Sequence, residues 1–147
     1  MDIWVHSIVT TILIVILWPF FGAWALLAAV SGILIDADHV FWHMLKTGKL
    51  NLKKAYKYCK KIGNTEDKAE YHKMHLILHT YDTFLLGVAL AMIWPIFIPL
   101  TIGHLIHLIM DFIWVEIQWN GTDFKLMFSK STFKFLFKLI SGEKINT

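Results

Sequence analysis

Two apolar blocks, Ile3–Ile35 and Leu76–Val115, constrain this chain more than any other feature. Each is too long for a single helix across a bilayer, and each is broken near its middle by a Trp-Pro pair. The first break reads Trp18-Pro19-Phe20-Phe21-Gly22 and the second Trp94-Pro95-Ile96-Phe97-Ile98-Pro99. Proline removes a backbone donor and crowds the preceding turn, and glycine permits a tight reversal. Tryptophan is favoured at a membrane–water interface. Each block is therefore expected to fold as a helical hairpin. The arms Ile3 to Trp18 and Phe20 to Ile35 come to about 24 Å each at ~1.5 Å per residue, near a hydrocarbon core of roughly 30 Å. Leu76 to Trp94 and Pro99 to Gln118 are longer. The competing arrangement is one proline-kinked span per block, since membrane helices tolerate proline.

The chain has 147 residues, 56% of them hydrophobic, and a mean hydropathy of +0.55. A water-soluble domain of this size would expose much of that apolar surface, so a bilayer is the natural solvent. The expected fold is all-α: an integral membrane helical bundle of two hairpins, about four spans, plus a C-terminal amphipathic helix. It forms one membrane-embedded domain over 1–147, with the first hairpin at 1–40, a Lys-rich segment at 41–71, the second hairpin at 72–118 and an amphipathic tail at 122–147. Met1 to Ser7 carries no basic n-region, and the apolar run outlasts a signal-peptide core without an A-x-A-like site, so the first block reads as retained helix.

The net charge is +3, and every cation other than histidine is lysine. Without arginine there is no bidentate fork for base edges or phosphates, which argues against specific nucleic-acid binding. Lys46 to Lys73 lie between the blocks and Lys125 to Lys144 follow the second, while both Trp-Pro turns are uncharged. The positive-inside rule then predicts a multi-pass protein of the inner (cytoplasmic) membrane whose hairpins start and end on the cytoplasmic side, against anionic lipid. Cys59 is the sole cysteine, so no intrachain disulfide forms. Phe41–Tyr71 is expected to hold one or two cytoplasmic helices, with a turn signal at Gly63-Asn64. After Gly121 and Phe124-Lys125-Leu126-Met127-Phe128, Lys130, Lys134 and Lys138 recur on one helical face. Phe133, Leu136, Phe137 and Ile140 lie opposite, the pattern of a helix lying on a membrane surface or forming a further side of the bundle.

Against this apolar background stand eight histidines, gathered with aspartates at the proposed cytoplasmic ends of the arms. His6 opens the first arm. Asp36, Asp38 and His39 close the second, followed by His43. His72, His75, His79 and Asp82 open the third, and His104, His107 and Asp111 lie in the fourth. Asp36, His39 and His43 are spaced i, i+3, i+7; His72, His75, His79 and Asp82 are spaced i, i+3, i+7, i+10; His107 and Asp111 are i, i+4. Such spacings share one helical face. An aspartate at the bilayer centre costs about 2.5–3.5 kcal/mol on insertion scales, so several together need partners. Imidazole with carboxylate suits zinc or a similar divalent metal. The bland alternatives are a helix–helix hydrogen bond for His104, interfacial solvation for His43 and His72, and a purely structural polar network for the whole set.

These motifs resemble the YdjM-like family, described as LexA-binding, inner-membrane-associated, metal-dependent hydrolases. That family has an early histidine, a P-D-x-D-H element, a central H-S or H-T, and a final G-x3-H-x3-D on a membrane helix. Here His6, Ile35-Asp36-Ala37-Asp38-His39, His79-Thr80 and Gly103/His107/Asp111 match in that order, over residues 6 to 111. Ile35 replaces the family's proline, and the central H-R-x3-H-S spacing is not reproduced, His72-Lys73 resembling only its start; i+4 geometry with His79 favours His75 over His72. The resemblance implies a membrane metallohydrolase with His6, Asp36, His39, His75, His79, His107 and Asp111 holding one or more divalent ions, zinc foremost. Asp38 or Asp82 would orient a ligand or take a proton from water. Such a metal lowers the pKa of a bound water and polarises the scissile group. A weaker analogy of ligands, not of fold, joins H-x3-D to the all-α zinc-dependent phospholipase C and nuclease group.

A site at the lipid interface points to membrane lipid as partner and to a lipid-like or phosphoester substrate. No serine or cysteine nucleophile stands out, since Cys59 lies in the Lys-rich segment away from the motifs. Three other functions compete. A His-box di-iron or haem oxidoreductase would use the H-x3-H pairs His39/His43 and His75/His79, but the doubled H-x2-H-H boxes are missing. A proton or metal transporter would need its ionisable groups to continue across the bilayer, and Ile8–Leu34 and Phe84–Pro99 contain none. The remaining alternative is a non-enzymatic membrane adaptor.

Overall fold

A computed structural model describes residues 3–64, 73–119 and 131–142. His72, Gly121 with the run 124–128, Lys130 and Lys144 lie outside the described residues. Among those described, all regular structure is helical. Helix α1 spans Ile3–Phe21, and a 3-10 segment, Gly22–Leu26, leads into α2 (Leu27–Gly32). One 3-10 turn, Leu34–Asp36, joins α2 to α3 (Ala37–Thr47), and α4 follows at Leu52–Asn64. The second half opens with a 3-10 turn, Ile77–His79, before α5 (Tyr81–Ile93). A further 3-10 turn, Pro95–Phe97, leads into α6 (Ile98–Trp119), and α7 covers Thr132–Ser141.

Both blocks reverse as hairpins, but at different places relative to their prolines. At Trp94-Pro95 the chain leaves helical geometry, with Trp94 extended and Pro95 opening the new turn, where a missing N–H costs nothing. In the first block α1 continues through Pro19 and turns at Gly22, whose φ of +55° suits a residue without a Cβ. Two hydroxyls inside α1 are satisfied locally. Ser7 Oγ donates to the Ile3 carbonyl and Thr11 Oγ1 to that of Ser7, so neither needs water.

The hairpins meet where side chains are smallest. Helix α2 packs mainly on α6 and also on α1. Ala25 and Ala28 are fully buried beside Leu17, and Ser31 Oγ donates across to the Leu100 carbonyl at 2.5 Å. A Cβ on Gly103 would lie 2.6 Å from Ser31 Oγ and 2.7 Å from the Ala28 carbonyl. Small residues thus let α2 and α6 approach to backbone contact, as at membrane helix interfaces.

A second core is formed by Trp42, Ile62, Met74 and Phe135. Helix α3 stops at Gly48, which is left-handed at φ +66°. Asn51 Oδ1 then accepts the Lys54 N–H at 2.9 Å, capping α4. The turn therefore falls at 48–51, and α4 runs on into Gly63-Asn64. Helix α4 buries Ala55 and Ile62 while Lys53, Lys54, Lys57 and Lys61 face outward. Phe135 anchors α7 in this core, while Phe133, Phe137 and Ile140 of the expected apolar face are exposed.

Two helical stretches, Ile3–Thr47 and Pro95–Ile117, are long and apolar enough to cross a membrane. Only 17% and 28% of their most apolar windows are buried within the protein, so most of that apolar surface faces outward. Ile8, Ile12, Val15, Ile16, Leu85 and Met92 are among the exposed residues.

Candidate metal centre

The return arm of the first hairpin delivers Asp36 at the end of its 3-10 turn, with Asp38 and His39 in the first turn of α3. The turn Ile77–His79 lies against Leu34–Asp36 and brings in His79. Helix α6 adds His107 and Asp111, one turn apart. One donor atom from each of Asp36, His79, His107 and Asp111 falls within 4.8 Å of the others. His79 Nε2 is 3.0 Å from His107 Nε2 and 3.2 Å from Asp111 Oδ2. His107 Nε2 is 3.2 Å from Asp111 Oδ2, and both Nε2 atoms are 3.5 Å from Asp36 Oδ1. Four donors bound tetrahedrally at zinc–nitrogen or zinc–oxygen lengths stand about 3.3 Å apart, so these separations fit one ion.

The tautomers follow from the other nitrogens. His107 Nδ1 donates to the Gly32 carbonyl at 3.1 Å, and His79 Nδ1 donates to Asp38 Oδ2 at 2.9 Å. Both acceptors can only accept, so Nδ1 carries the proton in each ring. The two Nε2 atoms face each other beside two carboxylates, and with both rings neutral these four atoms would present lone pairs that a cation could gather. Asp38 orients His79 as carboxylates orient metal-bound histidines. His6, buried and stacked on His107 with centroids 4.1 Å apart, places Nε2 3.2 Å from Asp111 Oδ1. It therefore holds the far oxygen of Asp111 rather than joining the four donors. His39 approaches Asp38 and Asp36 from α3, and Asp38, His39 and His79 form a second group of donors within 4.8 Å.

Other residues singled out in the sequence go elsewhere. His75 stacks on Phe135 at 4.3 Å, outside both groups of donors. His43 is buried, not solvated, and meets Tyr58 edge-on. Each H-x3-H pair, His39/His43 and His75/His79, thus sends one ring to the cluster. His104 donates to the Leu78 carbonyl at 2.9 Å, the helix-to-chain hydrogen bond expected of a lone histidine. The i, i+3, i+7, i+10 stripe through His79 and Asp82 is not one helical face, because residues 74–76 and Thr80 are non-helical. The reason lies at Leu78, whose N–H goes to Asp38 Oδ2 at 3.0 Å and whose carbonyl goes to His104. Those side chains take the groups a continuous helix would need.

Asp82 does not orient a cluster ligand. Its Oδ2 accepts from Ser131 Oγ at 2.8 Å and from the Phe133 N–H at 3.1 Å, at the start of α7. Its Oδ1 accepts from Thr80 Oγ1 and from the Thr83 N–H. A carboxylate at a helix N-terminus is favoured by the exposed amides there. Asp82→Asn should weaken this anchor by about 1.5–3 kcal/mol, the worth of hydrogen bonds to a charged group. Hydrogen exchange across α7 should speed up while metal content stays at the wild-type level. Lost metal with unchanged α7 protection would overturn that assignment.

Cys59 lies closer to the motifs than its sequence position suggests, its Sγ 3.9 Å from the His39 carbonyl. Burial, reinforced by the Asp38 and Asp36 carboxylates, pushes the thiol up to about 12. It is therefore a thiol at neutral pH and poorly suited to act as nucleophile or ligand.

Nothing in the sequence pattern marked the Gly32 carbonyl, the Leu78 backbone or Ser131 as part of these networks. The small residues Ala28 and Ser31 against Gly103, with Gly32 against Thr10, were the available signal for the first. Comparison of the chain with protein-family models, curated proteins and solved structures finds no match.

Proposed function

We propose that this protein is a membrane-embedded metal-dependent hydrolase, with a divalent ion, zinc foremost, held by Asp36, His79, His107 and Asp111. The observation that carries this reading is the pair of Nε2 atoms 3.0 Å apart, each in a ring whose other nitrogen is committed to an acceptor. The order of D-x-D-H, H-T and G-x3-H-x3-D supports kinship with the YdjM-like family, and the geometry gives those residues mutually consistent parts. When bound, such an ion lowers the pKa of a water and polarises a scissile carbonyl or phosphoryl oxygen. Asp38 fixes the His79 ring and His6 fixes Asp111. Asp36 and Asp111, at 21% and 20% side-chain exposure, leave the cluster reachable from outside.

The outward apolar surface supports a bilayer as the solvent, with the arms of both hairpins inside it, a multi-pass inner-membrane protein. Helix α5, about 20 Å at ~1.5 Å per residue, is shorter than a typical core of roughly 30 Å, so local thinning or snorkelling accompanies it. The exposed Phe133, Phe137 and Ile140 suit an interfacial position for α7. With the lysines of α4 at the same end as the cluster, substrates with an apolar tail and a hydrolysable polar head, phosphoesters included, fit best.

The test is elemental analysis of the full chain purified in mild detergent, paired with hydrolysis of a panel of lipid esters and phosphoesters before and after chelation. At least one divalent ion per chain and chelator-sensitive turnover are expected. Absence of stoichiometric metal under mild purification sinks the proposal.

A further inference from the structure

The four donors above already satisfy a tetrahedral ion, so water or substrate would join it only at a fifth position, whereas catalytic sites usually keep one open. That contrast directs attention to the donors the set leaves over. His39 Nδ1 lies 3.1 Å from Asp38 Oδ1 and 3.5 Å from Asp36 Oδ1. Neither His39 Nδ1 nor Asp38 Oδ1 makes a hydrogen bond, although both atoms are buried. Asp38 is only 5% exposed, and its other oxygen already accepts from Leu78 N–H and His79 Nδ1–H. A buried carboxylate oxygen without a hydrogen bond is costly, and here its contact is the ion-pair approach of His39 Nδ1, which lacks hydrogen-bond geometry. The His39–Asp38 separation matches donors around one small cation, about 3.0–3.3 Å apart for octahedral or tetrahedral coordination at ~2.0–2.1 Å, and the His39–Asp36 separation is slightly longer.

Resting on the single-ion reading above, we propose that the centre is dinuclear. A second divalent cation binds His39 Nδ1 and Asp38 Oδ1, and Asp36 is shared between the two ions. Its donors, one imidazole and two carboxylates, are fewer and harder than those of the first ion, so it binds more weakly and accepts manganese as well as zinc. Three protein donors leave positions for water and substrate, and His39 and Asp36 are the partly exposed members of the set. Two ions about 3.5–4 Å apart are the arrangement that clamps the attacking and leaving oxygens of a phosphoester. This sharpens the substrate class to a phosphomonoester or phosphodiester with an apolar tail.

The experiment equilibrates metal-depleted full chain in detergent against buffered free zinc and counts bound ions by mass spectrometry. Parallel samples take manganese and are read by electron paramagnetic resonance. Wild type should bind two zinc ions per chain, and two manganese equivalents should give a spin-coupled signal. His39→Ala should bind one zinc ion at near wild-type affinity and lose the coupling. Should that variant fail to fold by size exclusion and circular dichroism, His39→Gln replaces it, and the wild-type stoichiometry decides independently. Saturation of wild type at one ion, or two ions retained without His39, overturns the second site and leaves the first standing. No bound ion at all overturns both.

Discussion

Replacing His107 with alanine should weaken zinc binding by well over 100-fold, measured as metal retained after dialysis against buffered free zinc. Changes to groups that merely orient a ligand cost about 10–100-fold, and His107 is proposed as a direct donor. Its side chain is buried, it stacks on His6, and its Nε2 stands within 3.5 Å of all three partner donor atoms. The loss should also appear in thermal melts. An ion binding only the folded state adds roughly 2.7 kcal/mol at 100 times its dissociation constant. Added zinc should therefore raise the wild-type midpoint and leave the variant's nearly unmoved. His107→Gln, closer in volume, separates lost coordination from lost packing. A variant that keeps zinc at wild-type affinity would falsify the assignment of this donor set.

The second large effect concerns a residue that touches no ion. Gly103→Ala places a methyl 2.6 Å from Ser31 Oγ and 2.7 Å from the Ala28 carbonyl. Ser31 cannot swing away freely, because its hydroxyl donates to Leu100 across the same contact. Overpacking of this kind costs about 1–3 kcal/mol. It should also reach the metal centre, since moving α6 off α2 stretches the bond from His107 Nδ1 to the Gly32 carbonyl. A lower melting midpoint and about tenfold weaker zinc binding, the scale of an orienting contact, are expected together. Gly87→Ala is the matched control, because a Cβ there meets only Thr101 Oγ1 at 3.5 Å, an ordinary contact. Equal stability of the two variants would show that backbone approach at Gly103 is not what holds the helices in place.

Much of this arrangement was legible in the residues. Apolar blocks broken at Trp-Pro led to two helical hairpins, and D-x-D-H with H-x3-D named the residues that converge. What the spacing could not show was where helical phase would be lost. His75 and His79 share a face only if the chain between them is helical, and Leu78 hands its N–H and carbonyl to Asp38 and His104 instead. These long-range partners outcompete the local ladder and rotate His79 toward the cluster while His75 turns to Phe135. Asp82 was misleading for a related reason: an aspartate opening a helix next to histidines looks like a ligand's partner, but its partners lie on α7. Likewise Pro19 marked the first reversal only approximately, because the backbone freedom required was that of Gly22.

Asp36 belongs to the first hairpin, whereas His79, His107 and Asp111 belong to the second. An ion held among them is a removable cross-link between two halves of the chain. Closing a long loop restricts the unfolded ensemble more than closing a short one, and the segment enclosed here includes α3, α4 and α5. Metal supply would then govern how firmly the halves stay joined, whatever reaction the ion serves. Depleting that metal should loosen the protein along the seam between α2 and α6 before it loosens either hairpin.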